Sequence, residues 1–218
     1  FPRLPAIPFY DRVDFLWLNT VEAAADEIRK ELIGVLKDNH DDFVPYVAHP
    51  EGAPLNQWQE LNNSRRWGAF HLWREGQRVE ENLARCPTTA SILAKAPSPK
   101  MLGHAPNAFF SLLEPRTRIP PHTGVTNTRL VVHVPLVIPP SCGFRVGSIT
   151  REWQRGKAWV FDDTIEHEAW NNSDEPRAIL IFDIWNPYLT EVERELVRTA
   201  TESIGDFYQG ETPYTAGL

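Results

Sequence analysis

Two histidines on separate strand-like stretches, with an arginine inside a third, are the side chains here best suited to chemistry. His122 lies in PHTGVTNTRLVVHVPL (121–136), His167 in FDDTIEHEAWNN (161–172) and Arg177 in PRAILIFDIW (176–185). Neutral imidazoles suit an iron-type divalent metal. A guanidinium stays charged and offers paired donors, so one placed among apolar residues suits a carboxylate. His133 adds a further polar group inside the apolar run that follows His122. Together they predict a pocket for a metal and an acidic cosubstrate, with His122 and His167 as ligands.

A mononuclear non-haem iron site usually takes two histidines and one carboxylate. The carboxylate commonly stands two residues after the first histidine, and here that residue is Gly124, which has no side chain. Either a water or another acid fills the position. Asp163 is the nearest acid in sequence, and Glu166 and Glu168 flank His167. Each has a structural reading as well: Asp162-Asp163 fits a turn that caps backbone amides, and the glutamates fit an outward strand face.

Positioning these groups falls to many short strands. From Ala108 onward, Pro, Gly and Asn punctuate β-rich stretches near 108–114, 129–137, 143–148, 157–162, 165–170 and 177–184. The doublets Pro120-Pro121 and Pro139-Pro140 are expected to end pairing. This texture predicts a mainly β protein, a jelly roll or related barrel with an open mouth for a small molecule. WGAFHLW (67–73) alternates like an earlier strand, and 88–96 reads as a short helix. In VEAAADEIRKELIGVLK the residues Val21, Ala24, Ile28, Leu32 and Val35 or Leu36 share one face, with Asn19 and Glu22 spaced as a capping box. Thr190 and Glu193 repeat that spacing before a C-terminal helix. The helices flank the barrel, 40–66 is a polar loop, and the tail from Gly205 is loosely held. One domain is expected over 1–218, with helical and loop support over 1–107, the jelly roll over 108–187 and a helix and tail over 188–218.

A formal net charge of −7 over 218 residues weighs against nucleic-acid binding, which needs clustered Lys and Arg. No apolar run reaches membrane-helix length, and no signal peptide is visible. Cys86 and Cys142 have no paired spacing and read as reduced thiols. A cytoplasmic protein acting on a small-molecule or peptide substrate, acidic or amide-bearing, is expected. His40, His49, His71 and His104 have no partner pattern and are assigned to surface or loop roles.

Three ordered motifs carry a resemblance: H-T-G-x-T-N-x-R-L-x-x-H (122–133), F-D-D-x-x-x-H-E (161–168) and R-x-I-L-x-x-D-x-W-x-P (177–187). FHLWREGQ (70–77) and FSLLEP (110–115) add to it. The chain resembles the aspartyl/asparaginyl β-hydroxylases, which are iron(II)- and 2-oxoglutarate-dependent oxygenases. The resemblance implies a double-stranded β-helix and a metal held by two histidines alone, matching Gly124. It implies His122 and His167 on Fe(II), Arg177 on the distal carboxylate of 2-oxoglutarate, and His133 and Ser111 as supporting contacts, with O2 as second cosubstrate. Arg129 looks like a substrate-carboxylate contact and Trp73 like a pocket tryptophan. Vertebrate-type members carry arginine where this chain has Val131, so the substrate contacts are expected to differ. Two other readings stand beside the hydroxylase: a halogenase using the position freed at Gly124, and a jelly roll that binds a metal or ligand without turnover.

Overall fold

The computed structural model describes residues 1–101 and 103–207. Helices α1 (Leu18–Ala23) and α2 (Ala25–Asp38) come first, then strands β1 (Val44–Pro45), β2 (Trp67–Arg74) and β3 (Gln77–Arg78). Helices α3 (Glu80–Arg85) and α4 (Pro87–Lys95) precede eight strands. These are β4 (Ala108–Leu113), β5 (Thr117–His122), β6 (Arg129–Val137), β7 (Cys142–Val146), β8 (Ile149–Arg151), β9 (Trp159–Phe161), β10 (His167–Asn171) and β11 (Arg177–Trp185). Helix α5 (Glu191–Phe207) follows, and the rest of the tail from Gly205 onward lies outside the described residues.

The larger sheet runs β1-β2-β4-β11-β6-β9, with β3 beside β2, and the smaller runs β5-β10-β7-β8. Counted from β4, the order is first-eighth-third-sixth in one sheet and second-seventh-fourth-fifth in the other. Antiparallel strands that alternate between two facing sheets in this order form a double-stranded β-helix.

Strand alternation divides the core into two layers. On the outer side of the larger sheet, Ile28 and Leu32 of α2 pack with Phe70, Phe110, Val132, Leu180 and Phe182. Each such buried side chain contributes roughly 1.5–3 kcal/mol. The buried α2 face is Ala25, Ile28, Leu32 and Val35, so Ala25 takes the place expected of Ala24. Between the sheets lies a second cluster that includes Trp58, Trp67, Phe144, Trp153 and Phe161.

Several local expectations are corrected. The first helix starts at Leu18 with no side-chain cap from Asn19. Glu22 instead accepts the Ala158 amide at 2.9 Å and pairs with Arg12 and Lys157, tying α1 to the loop before β9. Pro120 and Pro121 lie within β5 rather than ending it. Among the described residues that strand pairs only with β10, and an outer strand tolerates prolines that lack amide protons. At α5 the Thr190–Glu193 box forms as expected, with Glu193 accepting from the Thr190 amide and hydroxyl at 2.8 and 2.9 Å. Cys86 and Cys142 are free, buried and in different core layers. Among the described residues no helix is long and apolar enough to cross a membrane.

Candidate active site

Strands β5 and β10 are neighbours, and their register sets His122 directly opposite His167. The ring centroids are 4.1 Å apart with planes at 55°. Each Nδ1 donates to a backbone carbonyl two residues earlier, Pro120 O at 2.7 Å and Ile165 O at 3.0 Å. A carbonyl only accepts, so Nδ1 carries the proton and Nε2 keeps its lone pair. Burial lowers the pKa of both rings, and that of His167 falls to about 3 with His122 beside it. Two neutral imidazoles, oriented by backbone and packed against each other, are a ready pair of metal donors. Trp58 packs on His122 at 4.9 Å, and Phe161 on His167 at 5.3 Å.

Facing them, alternate residues of the larger sheet line a cavity of about 80 Å³: Ser111 on β4, Arg129, Val131 and His133 on β6, and Arg177, Ile179, Ile181 and Asp183 on β11. Arg177 is 1 % exposed and has no acidic partner among the described residues. Its Nη1 donates to Ser111 Oγ at 3.3 Å, its guanidinium lies 5.0 Å from the Trp153 ring, and its Nε has no partner. Burial lowers its pKa to about 10. His133 is buried too, with an unpartnered Nδ1, and burial with Arg177 nearby holds it neutral. Buried polar atoms nearly always find partners. A bare guanidinium and a bare imidazole in one cavity therefore mark a place shaped for an anion.

The other end of the cavity is acidic. Asp162 caps the turn, accepting from the Thr164 amide and hydroxyl at 3.0 and 2.6 Å. The turn reading thus holds for Asp162 and fails for Asp163, whose buried side chain lines the cavity with Oδ1 unpartnered. Burial raises its pKa to about 7, against the pull of Arg129. A Cβ at Gly124 would stand 2.2 Å from Asp163 Oδ2, so a carboxylate occupies the space this glycine leaves. Even so, no three His, Cys, Asp or Glu side chains among the described residues gather into a metal cluster. Glu168 on β10 and Glu166 just before it both pair with Arg145 of β7.

Two substrate-side expectations change. Arg129 reaches the cavity, but its Nη1 donates to Asp183 Oδ2 at 2.8 Å, with both side chains buried. It is thus already neutralised. Trp73 is absent from the cavity lining. A bulge between His71 and Trp73 breaks the alternation of β2 and turns Trp73 toward the helix-side layer, with Arg78 over its ring. Trp67 and Trp153 line the cavity instead, and Trp67 Nε1 donates to Ser111 Oγ at 3.1 Å. His49 lies in a loop as expected but is buried, with an unpartnered Nε2, and His71 lies half-buried on β2 rather than in a loop. Sequence reasoning also passed over Tyr46, Trp58 and Asp183, while it marks Asp163 as the acid nearest in sequence to the position left by Gly124. Only Asp183 left a signal: it shares the parity of Arg177 on one strand.

A family model described as aspartyl/asparaginyl beta-hydroxylase matches residues 22–187. The chain belongs to that family. It is 34% identical over 179 residues to the human aspartyl/asparaginyl beta-hydroxylase, covering 82% of this chain and 24% of the relative. It is 32% identical over 190 residues to the ornithine lipid ester-linked acyl 2-hydroxylase of Rhizobium tropici, covering 86% and 63%. A human aspartate beta-hydroxylase domain-containing protein 2 is 28% identical over 203 residues, covering 89% and 51%. The chain thus spans about a quarter of the first relative and less than two thirds of the others. Among solved structures, the cupin domain of Schizosaccharomyces pombe Cnp3 aligns with TM-score 0.38 at 10% identity, over 67% of this chain and 73% of that one. A predicted oxalate decarboxylase from Thermotoga maritima aligns with TM-score 0.36 at 12% identity, over 55% and 81%.

Proposed function

We propose that this member of the hydroxylase family is an iron(II)- and 2-oxoglutarate-dependent dioxygenase that hydroxylates an unactivated carbon in a small molecule or peptide. The observation that carries the reading is Arg177, a buried guanidinium without an acid, in one cavity with two paired neutral histidines. In this assignment His122 and His167 hold the iron through Nε2, and a dicarboxylate would supply the anion that Arg177 lacks. When bound, iron with 2-oxoglutarate and O2 would supply the oxidation, in which R–H, 2-oxoglutarate and O2 become R–OH, succinate and CO2.

The chain's own residues position and insulate. Ser111 holds Arg177 Nη1 and is itself held by Trp67 Nε1. His133, kept neutral by burial, offers a hydrogen bond and no competing charge. Phe144, Phe161, Trp153 and Ile179 exclude water from the cavity, where each electrostatic contact is stronger for it. Asp163, beside Gly124, is placed to accept from a water or hold a proton near the metal pair.

The relatives' names supply a target class. The β-carbon of aspartate or asparagine and the 2-carbon of an ester-linked acyl group both stand next to a carbonyl. We therefore assign the reacting carbon to a position adjacent to a carbonyl group. Two other readings are disfavoured. A halide beside Gly124 would lie against the Asp163 carboxylate, and the first two relatives are named as hydroxylases rather than binding proteins.

The test is anaerobic addition of iron(II) and 2-oxoglutarate, with a visible charge-transfer band expected, followed by succinate release on adding oxygen. His122→Ala and His167→Ala should each lose iron and band together. Unchanged iron occupancy in both variants removes the metal assignment.

A further inference from the structure

The two ends of the cavity carry opposite electrostatic character. Arg177 and Asp183 share one face of β11, six residues and so about 20 Å apart along the strand. Around Arg177 stand Ser111 and His133, with no acid. Around Asp183 stand Arg129, Asp163 and Tyr46, which is two carboxylates to one guanidinium. There Arg129 Nη1 donates to Asp183, and Asp183 also accepts the Asn107 amide at 2.8 Å. Val131, opposite Asp183 in the β6–β11 register, adds an apolar wall.

That acidic end is also the way out. Tyr46, Asn107, Phe109 and Arg129 line both the cavity and an outer groove of about 600 Å³. The groove runs between β1 and α5 and carries Val44, Met101, Val125, Val197 and Ile204. A substrate entering here would pass apolar side chains and Arg74 in the outer groove, then a guanidinium already paired, then a second carboxylate. Beyond the groove, a free carboxylate would meet a cation that already holds an acid, and it would face Asp163 and Asp183.

We propose that the substrate presents a neutral carbonyl, an ester or amide on an apolar chain, and that the site rejects free carboxylates at the reacting position. This rests on the carbonyl-adjacent reading above and chooses between the two kinds of substrate it admits. A neutral carbonyl can accept from Arg129 without displacing Asp183, whereas a carboxylate would have to compete with an acid already in place.

The experiment uses protein loaded with Mn(II), which holds the cosubstrate without turnover. 2-Oxoglutarate is titrated first by calorimetry, and its failure to bind sinks the cosubstrate reading, not this one. Two matched pairs follow: hexanoate with methyl hexanoate, and N-acetylaspartate amide with its β-methyl ester. The ester of each pair should bind about tenfold tighter or better. Val131→Arg, which puts an uncommitted cation on the same wall, should move the ratio about tenfold toward the carboxylate. Asp183→Asn, which frees Arg129, should move it the same way where the variant folds. Carboxylates that bind as well as their esters, or esters that do not bind, overturn the proposal. A ratio unmoved in a folded Val131→Arg protein does so too.

Discussion

Replacing Arg177 with methionine should separate folding from binding, because the two push in opposite directions. A guanidinium lowered from 12.5 to about 10 by burial is penalised in its charged form. At roughly 1.36 kcal/mol per tenfold, the penalty at neutral pH is about 3 kcal/mol. The sign follows from proton counting: between pH 10 and 12.5 the unfolded chain holds the proton and the folded chain does not. Stability contributed by this residue therefore rises with pH through that window, and at pH 7 the charge works against the fold. Arg177→Met removes the charge and keeps most of the apolar stem, so the ligand-free protein should be unchanged or stabilised by up to about 3 kcal/mol in urea. Binding should move the other way. Losing one partner of a buried, hydrogen-bonded charge pair costs roughly 2–5 kcal/mol, or about 30-fold to several-thousand-fold in affinity for 2-oxoglutarate. Calorimetric titration into Mn(II)-loaded protein reads this. Pyruvate, which keeps the 2-oxo acid and lacks the distal carboxylate, should bind wild type and variant alike. A variant that binds 2-oxoglutarate within about threefold of wild type, or loses affinity for both acids equally, would refute the reasoning.

Three further outcomes follow from the same coordinates. Gly124→Ala sets a methyl group against the Asp163 carboxylate and should cost about 1–3 kcal/mol. Adding Asp163→Ala should restore most of that loss, and additive effects in the urea double-mutant cycle would contradict the contact. On β2, burial lowers His71 to about 4, so it stays neutral in the fold while the unfolded chain protonates near 6.5. Stability should fall as pH drops through that interval, and His71→Leu should flatten the decline in urea midpoints between pH 7 and 4.5. Burial raises the Cys86 thiol to about 12 and raises Cys142 as well. A thiol-reactive dye should therefore label neither cysteine until denaturant is added, and prompt stoichiometric labelling of native protein would show the burial to be wrong.

The barrel was legible because strand alternation leaves a clear trace. Runs such as RLVVHVPLV and RAILIFDIW set two polar residues each in an apolar frame, and parity puts Arg129 with His133, and Arg177 with Asp183, each pair on one face of its strand. What was not legible depends on neighbours. Pro120-Pro121 reads as a break until β5 proves to lack a second partner strand. Asp162 and Asp163 are adjacent and chemically identical, yet one caps a turn and the other faces the cavity. A bulge hides in HLWR, where no glycine or proline announces it, and with it goes the expected direction of Trp73. Arg129 stands where a binding cation was expected, but its charge is answered by Asp183, which lies 54 positions away in sequence.

The corner where Gly124 meets Asp163 also constrains how such a barrel can change over generations. A side chain at 124 would displace the acid at 163 from its present position, since their atoms would overlap. Growth at 124 therefore costs least in a chain where the residue at 163 is already small. The two positions should change together rather than independently.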